Sequence, residues 1–173
     1  GIRDATLLSI ASTGELAISL RPRDVGGFIV LGTLARVPLL GDAPRELLDD
    51  VYHADWSPDG KNLAVIRDSG GVARIEYPIG RVLYEAPGWV SHLRVSPDGK
   101  RVAFLSFASD LVPNDNNGTV DVFVRDIATA TTVRVSVHSN GTEGNGSCLN
   151  PTISPNGRFV AFQSHSSTIV DGD

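Results

Sequence analysis

Three stretches of the chain share one pattern: DWSPDGKNLAV from Asp55 to Val65, RVSPDGKRVAF from Arg94 to Phe104, and TISPNGRFVAF from Thr152 to Phe162. A fourth, degenerate copy, IASTGELAIS, runs from Ile10 to Ser19. In the three full copies, Pro presets φ at the second turn position, Asp or Asn tolerates the bridge or left-handed region, and Gly supplies a positive φ before the next extended run. Each copy therefore predicts a tight antiparallel hairpin. The turn glycines Gly14, Gly60, Gly99 and Gly157 are 46, 39 and 58 residues apart.

These spacings bracket the roughly 40 to 50 residues that a four-stranded propeller blade needs. After each hairpin comes a β-branched segment, a turn and a short strand: Thr33 to Leu39 then Arg45 to Leu48, Val72 to Tyr77 then Arg81 to Glu85, and Val120 to Arg125 then Thr132 to Val137. No segment keeps a 3.6-residue apolar stripe over ten positions. The best helix candidate, Ala43 to Asp50, is assigned mostly to an outer strand. The reading is all-β, with about three and a half four-stranded antiparallel blades of a β-propeller. Blade 1 covers about 1–50, blade 2 about 51–88, blade 3 about 89–146 and a half blade about 147–173. An open array leaves an apolar face and a strand edge at each end. Two such chains add up to seven blades, so the expected partner is a second copy closing the ring as a homodimer.

Composition agrees with one folded domain. The 173 residues are 41% hydrophobic and 20% charged, with a mean hydropathy of zero, enough to fill a core. The 15 Lys and Arg against 20 Asp and Glu give a formal net charge of −5, spread without runs. No electrostatic footprint for nucleic acid or an anionic membrane results. The single Cys148 has no CxxC or Cys/His neighbour, which excludes a disulfide framework. The chain opens at Gly1 and contains no Met, the mark expected of a processed product, a fragment or an expression product.

The SPDGK hairpins followed by apolar strands resemble the WD-like propeller repeats of TolB and of the propellers attached to prolyl-oligopeptidase-type peptidases. Residues 1 to about 100, with GTLARVPL, ADWSPDGKNLAV, EYPIGRVLYE and VSHLRVSPDGKRVAFL, resemble the propellers that follow the kinase domain in some bacterial serine/threonine kinases. From about residue 94 the chain is similar to a different propeller subfamily, in which Ala103 to Asp115 aligns with Ala161 to Asp173 at a constant offset of 58. Loop composition shifts from charged and Pro-rich to rich in Asn, Ser, Thr and Gly at the same place. A recombinant or engineered chimera of two propeller halves is one reading of that shift, and a natural chain with diverged blades is the other. The resemblance implies a partner-binding scaffold and, for the parent proteins, a bacterial extracytoplasmic or periplasmic location.

Candidate chemistry is sparse. GxSxG does not occur; the nearest string, GNGSC at Gly144 to Cys148, lacks the final Gly, and no phosphate-cradling loop of the GxxxxGK[ST] kind is present. No catalytic residue is named. His53 and His92 each precede a turn serine, Ser57 or Ser96, by four residues, with Asn150 the equivalent in the last copy. An even offset keeps side chains on one side of a strand. The two imidazoles are therefore candidates for neighbours near a central channel, with Asp55 and Arg94 one step deeper. Such a set suits zinc or another divalent transition metal; polar residues lining a wet channel are the alternative. Asp115, Asn117, Gly118 and Asp121 form D-x-N-G-x-x-D, resembling the later part of propeller calcium loops, although Pro113 stands where a first acidic ligand would fall. A plain polar loop is the alternative there.

Trp56 and Trp89 read as packing residues, with ligand stacking at a rim a further reading for Trp89. His138 and His165 are expected at the surface. The Asn-Gly strings at Asn117, Asn140 and Asn145 read as turn chemistry rather than glycosylation. The leading expectation is a non-catalytic β-propeller scaffold that binds a protein or peptide and self-associates. A metal-dependent hydrolase on His53 and His92 is the competing class, and a chimera with no selected ligand is the third.

Overall fold

The computed structural model describes residues 3–27, 29–40, 43–68 and 70–171, which form strands and turns with no helix. Gly172 and Asp173, which end the second copy of the 58-residue offset, lie outside the described residues. The chain divides into two compact units, Gly1–Pro87 and Gly88–Asp173.

In the first unit, β1 (Ala5–Ile10), β2 (Glu15–Gly26), β3 (Ile29–Pro38), β4 (Arg45–Trp56), β5 (Leu63–Asp68), β6 (Val72–Glu76) and β7 (Val82–Pro87) pair in chain order. One strand, β4, serves two blades. Its first half pairs with β3, Leu48 opposite Leu34, and its second half pairs with β5, Ala54 opposite Val65. The changeover falls at Val51, which pairs with both Gly32 and Arg67, directly after Asp50, whose backbone is left-handed at φ 60°; Asp is one of the L-residues that can visit this region. The segment Ala43 to Asp50 is accordingly strand from Arg45 onward, as its assignment to an outer strand anticipated.

Apolar residues in adjacent positions explain how the blades pack. In β2, Ala17 joins a cluster with Leu34, Val51, Ala54, Trp56, Leu63 and Val65, while its neighbour Ile18 joins Leu20, Ala35 and Val37 in another. Successive side chains point to opposite faces of a strand, so a sheet apolar on both faces is made to be sandwiched.

In the second unit, β8 (Val90–Val95), β9 (Arg101–Ser106), β10 (Asp121–Asp126) and β11 (Thr132–Arg134) form one four-stranded antiparallel sheet, and β12 (Cys148–Ile153) pairs with β13 (Val160–Ser164). Phe104 and Phe123 stack at its centre with ring centroids 5.8 Å apart. Val124, Ala103 and Ile153 carry this sheet's packing across to β12.

The three full turns are built alike. Ser57 Oγ donates to Asp59 and accepts from Asn62 N–H at 2.9 Å; Ser96 does the same with Asp98 and Arg101, and Ser154 with Asn156 and Phe159. In the degenerate copy Ala11 replaces the serine and the turn is closed by backbone bonds, Ala11 N–H to Glu15 O and Gly14 N–H to Ala11 O, while Ser12 Oγ donates to Pro58 O of the next turn. Two of the turn glycines, Gly60 and Gly157, meet the neighbouring hairpin closely. A Cβ on Gly60 would lie 2.9 Å from Thr13, and one on Gly157 would lie 2.8 Å from Arg101 Nη1. Gly is demanded there by its positive φ, 67° and 65°, and again by space.

Candidate functional site

Each innermost strand carries a register slip before its turn: between Leu7 and Ser9 in β1, Val51 and His53 in β4, Ser91 and Arg94 in β8, and Leu149 and Thr152 in β12. A bulge inserts an unpaired residue and re-aims side chains, so simple alternation does not carry through it. His92 and Asn150, 58 residues apart, share a left-handed backbone at φ 52° and 51°; in β4 the left-handed residue is Asp50, and His53 lies beyond it.

His53 is half-buried, its ring edge-on to Tyr52 with centroids 5.4 Å apart. His92 Nδ1 lies 2.7 Å from Ser91 Oγ. Burial, and secondarily the charge of Arg94, pushes the His92 imidazole below its ordinary pKa and favours its neutral form. Asp55 accepts from Ser9 Oγ at 2.8 Å, linking the innermost strands of the first unit. His53 and Asp55 belong to the first unit and His92 to the second. Among the described residues, no three His, Cys, Asp or Glu side chains group as metal ligands.

The D-x-N-G-x-x-D loop has its charges answered by a residue the sequence reading missed, Arg134 at the end of β11. Its Nη1 lies 2.8 Å from Asp115, 3.0 Å from Glu143 and 3.6 Å from Asp121, and its Nη2 donates to Asn114 O at 3.1 Å. Asp121 also accepts from Ser136 Oγ and from Asn117 Nδ2, which donates to Gly144 O as well. The Arg134 side chain is 8% exposed, against Asp115 at 5% and Asp121 at 1%. Burial pushes the Asp115 carboxyl above its usual range; Arg134 works against that rise, while Asp121 and Glu143 add to it. Glu143 is held below its usual range, first by the Asn116 N–H. The overlooked signal was an Arg on an alternating strand, TTVRVS, close in sequence to three acids.

Trp89 is half-buried and packs with Leu105, Val122 and Cys148. Its carbonyl accepts from Ser106 Oγ at 3.1 Å. Trp56 is buried, with the Arg36 guanidinium 4.8 Å above its ring and Arg36 in turn paired with Glu15. His165 is exposed as expected. His138 is more engaged than a surface residue: Nδ1 accepts from Asn140 N–H and Nε2 lies 3.1 Å from Asp171. Asn140 accepts from Thr142 N–H at 2.9 Å, the expected turn chemistry. Cys148 is buried, and burial pushes its thiol pKa up, away from thiolate reactivity.

No family model matches the chain. Among solved structures, a protein assigned as TolB from Agrobacterium tumefaciens superposes with a TM-score of 0.65 at 22% identity, covering 94% of this chain and 55% of that one. TolB from Acinetobacter baumannii gives 0.62 at 20% identity, covering 93% and 40%. The fold is that of a TolB-like β-propeller. The propeller domain of the trilobed protease from Pyrococcus furiosus matches with a TM-score of 0.52 at 18% identity, covering 76% of this chain and 42% of that domain. A stretch of 98 residues is 32% identical to the Aspergillus flavus protein named probable dipeptidyl peptidase 4, covering 47% of this propeller chain and 12% of that protein. The chain therefore spans about half or less of the solved propellers it matches and a small part of the curated relative.

Proposed function

We propose that the chain is a non-catalytic β-propeller module that binds a protein or peptide partner. The observation that carries this reading is the match of more than nine-tenths of the chain to TolB folds. The polar groups at the positions singled out for chemistry are engaged in structural contacts. Arg134 answers Asp115 and Asp121, Ser9 answers Asp55, and Trp89 packs in an apolar cluster. By the same resemblance the module works outside the cytoplasm. No observation favours the hydrolase or the chimera over this reading.

Self-association belongs to the proposal. Among the described residues, β13 pairs only with β12, whereas its counterpart β9, 58 residues earlier, is covered on its other edge by β10. An uncovered edge of Val, Phe and Ser residues is a template for another strand, and a second copy is the occupant proposed.

Cross-linking mass spectrometry in an extract of source cells identifies the partner, and calorimetry with the purified partner then measures saturable binding. Saturable binding without turnover is expected. Metal-dependent hydrolysis of peptide or ester substrates by the purified chain, lost on replacing His53 and His92 by Ala, would overturn the non-catalytic reading.

A further inference from the structure

We propose that a cleft between β3, the outer half of β4 and β5 binds a free α-amino acid with an apolar side chain. The cleft, about 360 Å³, is lined by Thr33, Glu46, Leu47, Leu48, Asp49 and Arg67. Its distinguishing group is Arg67. That side chain is 24% exposed, and its one ion pair among the described residues, with buried Glu76, is stretched to 3.7 Å, beyond hydrogen-bond distance. Its Nε is shut off from solvent and, among the described residues, meets no acceptor. A guanidinium presents N–H donors in a planar fork that fits a carboxylate with two parallel bonds. With the Nε out of reach, the terminal nitrogens are the donors that the fork offers an arriving carboxylate.

The rest of the lining says what that carboxylate is attached to. Glu46 is answered by Arg21 at 2.9 Å, and Arg21 also donates to Thr33 Oγ1 at 3.2 Å. The Thr33 hydroxyl in turn donates to Asp49 at 2.7 Å. Asp49 therefore has a neutral hydroxyl as its hydrogen-bond partner, with the Arg21 charge acting on it from the far side of that hydroxyl. Arg21 and Arg67 against Glu46, Asp49 and Glu76 leave one negative charge in excess. A simple anion meets that surplus, whereas a zwitterion adds no net charge; its carboxylate takes Arg67 and its ammonium takes Asp49. Leu47 and Leu48 form the apolar wall against which an aliphatic side chain is desolvated. The volume lies near the lower end of the roughly 300–1,000 Å³ of small-molecule pockets, which matches a ligand of amino-acid size.

This inference rests on the first unit alone and does not depend on the protein-binding reading. Its test is a titration of the full chain, followed by amide ¹H–¹⁵N spectra, with L-leucine, N-acetyl-L-leucine and L-leucinamide. L-leucine is expected to give saturable shifts at Leu47, Leu48, Asp49 and Arg67. Each derivative lacks one charge and is expected to bind at least about tenfold more weakly, the scale of one lost charged hydrogen bond. Arg67→Gln is expected to weaken leucine binding by a similar factor. Asp49→Asn, on an exposed residue, does the same without risk to the fold. No saturable shift with leucine, equal binding of all three ligands, or unchanged affinity in Asp49→Asn would overturn the assignment.

Discussion

Replacing Arg134 by Met is expected to destabilise the second unit by about 3 kcal/mol, the lower part of the range for removing one partner of a buried ion pair. The structure sets that magnitude. Arg134 is the cation in contact with Asp115, Asp121 and Glu143, and it is 8% exposed. Without it, Asp115 and Asp121 face each other with almost no water. The loss is held to the low end because Asp121 keeps its donors Ser136 and Asn117, and Glu143, 29% exposed, can turn to solvent. For a chain of this size, about 1 kcal/mol moves Tm by roughly 2–4 °C, so a fall of about 6–12 °C is expected. Thermal unfolding followed by circular dichroism measures it. The double variant Arg134→Met with Asp115→Asn should recover part of the loss, because it removes one of the stranded charges. A Tm for Arg134→Met within about 1 °C of the wild type would refute the reasoning.

The same cluster fixes a pH dependence. Because burial raises the Asp115 pKa, the folded state holds its proton more readily than the unfolded chain. The slope of stability with pH is then negative across the window from the ordinary carboxylate value of 3.8 up to the raised one. The wild type should gain stability relative to Asp115→Asn as pH falls through that window, checked by urea midpoints of both proteins; a gap that widens in the opposite direction contradicts the assignment. Phe104→Ala, at a fully buried ring stacked on Phe123, should cost about 3–5 kcal/mol in urea unfolding. Gly157→Ala should cost about 1–3 kcal/mol, because it adds a clash with Arg101 to a left-handed backbone. Gly70→Ala, at φ 69° with nothing within 4 Å, should cost less than Gly157→Ala in the same assay.

The hairpins were legible because their signal is local. A Ser-Pro-Asp-Gly turn states its own backbone, and an apolar run on each side states a strand buried on both faces. The double use of β4 was not legible. Nothing in Arg45 to Trp56 marks a change of blade except Asp50, one left-handed residue among many acidic ones. The bulges defeated simple counting in the same way, since an inserted residue changes which face the next side chain takes. His53 and His92 share their offset to a turn serine, yet His92 and Asn150 are the pair with matching backbones. The role of the loop from Asp115 to Asp121 depended on Arg134, brought in by the β10–β11 hairpin and aimed by its place at the strand end. Such a partner is fixed by register, which spacing alone does not supply. The cleft around Arg67 is of the same kind, assembled from three strands.

The measurement that bears most directly on a self-associating propeller module is native mass spectrometry of the purified chain at micromolar concentration. A species at twice the 18.3 kDa chain mass is expected. A single species at the chain mass, in a protein with well-dispersed amide signals, would contradict it.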